Sequence, residues 1–359
     1  MSQKPRALKL FSKRRIAITI IIGLSVATYL FVKDFDPEQF ANFEWTWQTS
    51  LWIFVAVLMM ATRDVAYMYR IRVLTDNEIS WRNSFDTIML WEFASAISPS
   101  VVGGSGAAIY IVNKEGVKIG RSTAVVMTSA LLDELFYIIT VPIILLIVGY
   151  STLFDIELPS DFLEGAVGEY GLKAVFLAGY FFIVILTTII SLAVFYRPRT
   201  FKWILLQVFR LPFLRKWRHD ASSTGDDIMH TSKELKGKPI SFWLKAFGAT
   251  LASWTARFWV VNFLILAFNN LSLFDHFMVY ARQLVMWVIM LISPTPGSSG
   301  VAEYAFTSFL DEFIIVGFTA TLVALWRLVS YYPYLFIGAI ILPRWIRRTH
   351  APKTEEKND

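Results

Sequence analysis

Two arginines lie near the middle of long apolar runs, Arg63 within residues 51–71 and Arg257 within residues 240–268. A guanidinium at the centre of a bilayer-spanning helix costs at least about 2.5 kcal/mol on insertion scales, so each must face a partner or a wet cavity. Two uses follow. The planar guanidinium fork grips a phosphate through paired hydrogen bonds. Alternatively it closes an ion pair, for which Asp64 adjoins Arg63, while Asp133 or Glu134 could serve Arg257 or Arg327. A pair that opens when a ligand binds would do both.

A second kind of chemistry belongs to two stretches rich in proline and glycine, Ser98-Pro-Ser-Val-Val-Gly-Gly-Ser-Gly106 and Ser293-Pro-Thr-Pro-Gly-Ser-Ser-Gly300, each breaking an apolar run. Proline lacks an N–H and clashes with the preceding turn, and glycine is costly to order, so both end helices. Backbone groups freed at membrane depth need partners, which makes each break a site candidate. Gly103, Gly104, Gly106, Gly297 and Gly300 present N–H groups, Ser105, Ser298 and Ser299 bring hydroxyls, and Pro296 enforces the second break. If a helix starts at Gly106 and another at Gly300, its positive end favours an anionic group there. The alternative is that small residues only let helices pack closely. Glu303 is placed either to cap the second helix start or to meet an amine headgroup.

The two stretches align at an offset of 194 residues, Gly103 over Gly297, and Tyr110 then stands over Tyr304. The same offset puts Arg63 over Arg257, Asp133-Glu134 over Arg327-Leu328, and Tyr137 over Tyr331. Matches outside the glycine loops, without gaps, point to an internal repeat, a recurring feature of transporter folds. Asp133, Glu134 and Arg327 then occupy equivalent places with opposite charge. A salt bridge across the pseudo-twofold axis is one reading, and proton coupling through a carboxylate is the other.

The elements that hold these residues must be membrane helices. Hydrophobic residues make up 55% of the chain and charged residues 17%, against about a quarter charged in soluble domains. The fold class is therefore an all-α polytopic membrane protein, with full spans expected at 16–32, 51–71, 122–150, 172–196, 240–268 and 314–342. Two shorter apolar segments, 84–98 and 277–292, read as the first arms of re-entrant hairpins. Basic flanks, among them Arg70, Arg72 and Arg82, mark the cytoplasmic side, and acidic loops mark the exterior. The first repeat, about 48–150, then enters from the opposite side to the second, about 240–342. The expected architecture is six spans and two hairpins in an inverted repeat, both termini in the cytoplasm, in the cell membrane. Between the repeats, residues 197–239 form a basic linker whose first part mixes aromatics with Lys and Arg, as in a helix lying on the inner surface.

Other chemistry is poorly supported. The net charge of +6 fits topology better than nucleic-acid binding, and with no cysteine there is no disulfide, thiolate or cysteine metal site. His219, His230, His276 and His350 fall in expected loops or at a segment edge, so no buried histidine base is evident, and no cofactor is expected. Asp34-Phe-Asp36 has the form of a nucleotide-sugar metal motif but lies on the expected outer face. The linker is too small for a separate catalytic domain.

With these loops in view, the chain resembles the transmembrane family shared with the flippase half of bacterial lysylphosphatidylglycerol synthetases, over roughly residues 45–342. The likeness rests on Pro294-Thr-Pro-Gly-Ser-Ser-Gly-Val-Ala-Glu303 and on Arg327 followed by Tyr331 and Tyr332. The first loop lacks the proline usual before its glycines, and Asp133-Glu134 stands where the family more often has an arginine-containing pair. The resemblance implies movement of a lipid, or of a lipid-linked headgroup, between leaflets. The expected partners are membrane lipids, an anionic phospholipid or a polyprenyl phosphate, and self-association into a homo-oligomer stays open. The aminoacyl-transferase half is not in this sequence, so synthesis of lysyl lipid is not implied. A glycosyltransferase using a polyprenyl-phosphate sugar and a scaffold for a partner enzyme are the rival functions.

Overall fold

Apolar runs of this length can satisfy their backbone in a bilayer only as helices, and no strand occurs among the described residues. The computed structural model of the chain describes residues 43–98, 101–156, 169–211, 215, 218–291, 298 and 300–350, with the isolated positions 25, 28, 32, 38 and 41. The expected first span at 16–32 falls almost wholly outside them, as do Pro99, Ser100, residues 292–297 and Ser299, and therefore Pro296 and Gly297 of the second loop.

Helix α1, Trp47–Leu74, starts after Thr46, whose hydroxyl accepts the Thr49 N–H at 3.3 Å. It stops at Thr75, and Asp76 and Asn77 then take positive φ, a region those side chains tolerate. Ser80 caps α2, Trp81–Ile97, by accepting the Asn83 N–H at 3.2 Å. Then come α3, Val101–Lys114, and α4, Ile119–Val148, which ends at Gly149 with φ 83°. Helix α5, Glu169–Ser191, continues as a π-helical turn, Leu192–Tyr196. The stretch expected to be a linker holds two helices packed together, α6, Pro198–Val208, and α7, Arg218–Lys236. On α6, Trp203, Ile204 and Val208 are exposed.

The second half repeats the order. Helix α8 is Ile240–Leu266, α9 is Leu273–Leu291 and α10 is Val301–Leu310. The span expected as one helix at 314–342 is two, α11, Thr319–Ser330, and α12, Tyr332–His350, separated at Tyr331. Pro333 explains the step. It cannot donate to the preceding turn and crowds the residue before it, but suits the first turn of a new helix. Four helical stretches are long and apolar enough to cross a membrane: Trp47–Leu74, Ile119–Val148, Ile240–Leu266 and Thr319–Thr349, the last taken through that step. Outward-facing Phe54, Val57, Ile143 and Leu146 are the surface a bilayer would cover.

The packing has a regularity that positions the site. Helices α1 and α8 lie against each other as the most extensive contact, α2 packs on α12, and α9 packs on α4. Exchanging the halves, α1 for α8, α2 for α9, α3 for α10 and α4 for α11 and α12, maps these contacts onto one another. The α2–α3 and α9–α10 pairs exchange in the same way, as do α1–α4 and α8–α11. Each short helix pair thus leans on the final helix of the other half.

Candidate functional site

Arg63, Tyr67 and Arg70 recur at helical spacing on one face of α1, so their side chains stack in a column. Both guanidinium carbons stand 4.5 Å from the Tyr67 ring centroid, which places the ring between two cations. Arg63 is 1% exposed and is enclosed by acceptors: Asp64 at 2.8 Å, Glu92 of α2 at 2.6 Å, and the Tyr334 hydroxyl of α12 at 2.8 Å. Tyr334 in turn donates to Asp64 at 2.8 Å. Adjacent residues on a helix do not normally face each other; the tyrosine closes the gap between Arg63 and Asp64.

Below it, Arg70 makes a fork to Asp133 of α4, at 2.5 and 3.2 Å, and reaches the Thr250 hydroxyl of α8 at 3.1 Å. The Trp254 indole donates to the same carboxylate at 2.8 Å. Arg70 is 4% exposed, so its place in the sequence as a cytoplasmic flanking charge is corrected. Helix α1 runs on past it, and α4 supplies a carboxylate to keep it in the interior. Asp133 therefore meets neither Arg257 nor Arg327. Arg327 is held instead by Glu303 of α10, at 2.7 Å, with both side chains buried. The expected bridge between the two equivalent positions is replaced by two separate bridges, each within reach of its own neighbour.

Glu303 also accepts the Gly300 N–H at 2.6 Å, so one carboxylate caps α10 and neutralises Arg327. Gly300 has φ 88° and stands just before α10, as the second loop required. Ser298, also at positive φ, donates to the Met290 carbonyl at 3.1 Å. The first loop differs. Helix α3 is already formed at Val101, so Gly103, Gly104, Ser105 and Gly106 lie inside it and no helix starts at Gly106. A Cβ on Gly104 would come within 2.2 Å of the Ser95 Oγ, so that glycine lets α3 approach α2, whereas nothing lies within 4 Å of one on Gly106. The proline of the first stretch, Pro99, stands four residues ahead of Gly103 and before α3, so the glycines fall within a helix and not at its start.

Arg257 stands apart. It is half-buried on α8, its guanidinium lies 5.4 Å from the Trp254 ring centroid, and among the described residues it makes no ion pair. Glu134, beside Asp133, likewise makes none, and its Oε2 is buried without a hydrogen-bond partner. Tyr137, one turn further along α4, is 0% exposed, stacks on Trp287 at 4.1 Å, and has an unpartnered hydroxyl.

Sequence reasoning passed over Glu92, Tyr334, Arg282 and Asp86. Arg282, buried on α9, donates to the Phe309 carbonyl at 2.9 Å and pairs with Glu312 at 2.9 Å. Asp86, buried on α2, receives Arg344 and Arg348 of α12 at 3.1 and 3.3 Å. An acidic or basic residue inside an apolar run is the signal that marks all four except the tyrosine.

An all-helical bundle with several bilayer-length helices and charges paired in its interior is a multi-pass membrane protein. Residues 16–338 match the family model described as the lysylphosphatidylglycerol synthase TM region, and the chain belongs to that family. It is also similar to a UPF0104 membrane protein of Archaeoglobus fulgidus, 26% identical over 336 residues, covering 90% of this chain and 94% of that protein. No solved structure matches.

Proposed function

We propose that this chain moves a phospholipid or a lipid-linked headgroup between leaflets by alternating access. Arg257 carries the proposal: among the described residues it is the guanidinium at mid-span that no carboxylate neutralises. An uncompensated cation at that depth is costly unless an anion joins it, and a lipid phosphate is the anion a membrane offers. Arg63 reaches such a group only when Asp64, Glu92 and Tyr334 release it. In this reading the Gly300 turn, with Ser298, lines the headgroup path from the second half and Gly103 to Gly106 from the first; Pro296, Gly297 and Ser299 belong to the same stretch and lie outside the described residues. Arg70–Asp133 and Arg327–Glu303 are the pairs whose opening changes access.

The interchangeable packing of the halves supports an inverted repeat of six spans and two re-entrant hairpins, with the site where the repeats meet. The basic flanks favour cytoplasmic termini in the cell membrane. The exposed apolar face of α6 suits the inner membrane surface. The test is the lipid that stays bound through purification, read by mass spectrometry. Native protein retains an anionic phospholipid or polyprenyl phosphate, and folded Arg257→Ala loses it. Equal retention by both would overturn the assignment of Arg257.

A further inference from the structure

Helix α4 carries two adjacent carboxylates near its midpoint, and they are treated differently. Asp133 is fully engaged by Arg70 and the Trp254 indole. Glu134 makes no ion pair among the described residues, and its Oε2 is sealed from solvent with no donor to meet it. Three residues on, and so on the same side of α4, the hydroxyl of wholly buried Tyr137 is also unpartnered. That phenol lies within electrostatic reach of both Glu134 and Arg257, with Tyr67 and Tyr280 the other groups around it.

Helices α1, α3, α5, α7, α8 and α9 pack against α4. Of their titratable groups, α1 brings Tyr67 and Arg70, α8 brings Arg257 and α9 brings Tyr280. The charge that acts on Glu134 itself is Asp133, already spent on Arg70. An ionised carboxylate cannot be kept at bilayer depth beside a like charge and without a donor. A neutral acid can. Helix α4 therefore holds a partly buried carboxyl whose sealed oxygen is satisfied by taking up a proton, with the unpartnered Tyr137 hydroxyl on the same side of the helix.

Resting on the lipid-moving function proposed above, we infer that Glu134 is a proton-binding site that couples lipid movement to a transmembrane proton gradient. In the arrangement seen, Glu134 is protonated and Arg257 is open to a lipid phosphate. When access changes sides, the acid meets water, loses its proton there, and as a carboxylate it competes with the phosphate for Arg257. The proton taken from one side is thus released on the other, with no bond made or broken in the lipid.

Two readouts on the full chain test this. The first is infrared absorption of protonated carboxyl at neutral pH, native minus Glu134→Gln. A carboxyl C=O band lost in the variant is expected, and no difference between the two would overturn the inference whether or not any lipid moves. The second uses liposomes of phosphatidylethanolamine and phosphatidylglycerol holding a fluorescent phosphatidylglycerol, with and without a pH difference. One-to-one coupling shifts the leaflet ratio of the reporter by up to about tenfold per pH unit. Glu134→Asp keeps a response, and whatever movement Glu134→Gln retains is indifferent to the gradient. Native protein that moves lipid with a ratio unaffected by pH overturns the coupling alone. No movement with or without a gradient counts against the lipid-moving function, and the infrared band then still decides the proton site.

Discussion

Arg70 and Arg257 show how differently one residue type is used in one bundle. Arg70 is held by a fork to Asp133 and by Thr250, with its flat face on Tyr67. Removing one member of such a pair leaves a buried charge uncompensated, at about 3–5 kcal/mol. Arg70→Ala and Asp133→Ala are each expected to lower thermal stability in detergent by that order, while the double change to leucine costs less than their sum. A sum that simply added would mean that the two are not coupled. Arg257→Ala should change stability by less than about 1 kcal/mol, since it breaks no ion pair. The positions of Arg63, Arg257 and Asp133 as charges within apolar helices were legible from the sequence, because a charge inside an apolar run is conspicuous. Of their partners Asp64 was legible beside Arg63, and the rest were not. Glu92 and Tyr334 reach Arg63 from α2 and α12, and only packing decides which carboxylate arrives first.

At the scale of elements, glycine near the first break acts through space and at the second through backbone angle. Gly104→Ala would force α3 away from Ser95, at about 1–3 kcal/mol. Gly106→Ala meets nothing and removes a flexible residue from a helix, so it should be neutral or stabilising by up to about 1 kcal/mol. Gly300→Ala places a Cβ at φ 88° and should cost about 1–2 kcal/mol. Chemical denaturation of the three variants separates these cases, and equal losses would contradict them. The long apolar helices were readable from their length, whereas the polar α7 in the stretch expected as a linker was not; Pro333 announces the step at Tyr331. The course of the first break was not, since a run of Gly and Ser ends a helix or packs within one according to what stands opposite, here Ser95.

At the scale of the molecule, the exchange of contacts between halves means that α2 cannot shift without sliding on α12, or α9 without sliding on α4. The chain contains no cysteine, so a single introduced pair reports cleanly. The Phe93 Cβ is 2.4 Å from where a Gly338 Cβ would sit, nearer than the roughly 3.5–4.5 Å that a disulfide spans, so a bridge here forms with α2 and α12 held about 1 Å further apart. Phe93→Cys with Gly338→Cys, joining α2 to α12, should stop lipid movement when oxidised and restore it when reduced. Undiminished movement in the oxidised form would mean that these helices do not separate during transport. The 194-residue offset places α1 over α8 and α2 over α9, the same pairs that the exchange of contacts relates. Which half leans on which could not be foretold, since that depends on faces and not on order.

The most direct measurement is the rate at which a fluorescent anionic phospholipid crosses the bilayer of liposomes containing the purified chain, native and Arg257→Ala, with folding verified for both. Lipid movement through a site centred on Arg257 predicts rapid, protein-dependent exchange that falls at least about tenfold in the variant. Exchange that is equally fast in folded Arg257→Ala would contradict it.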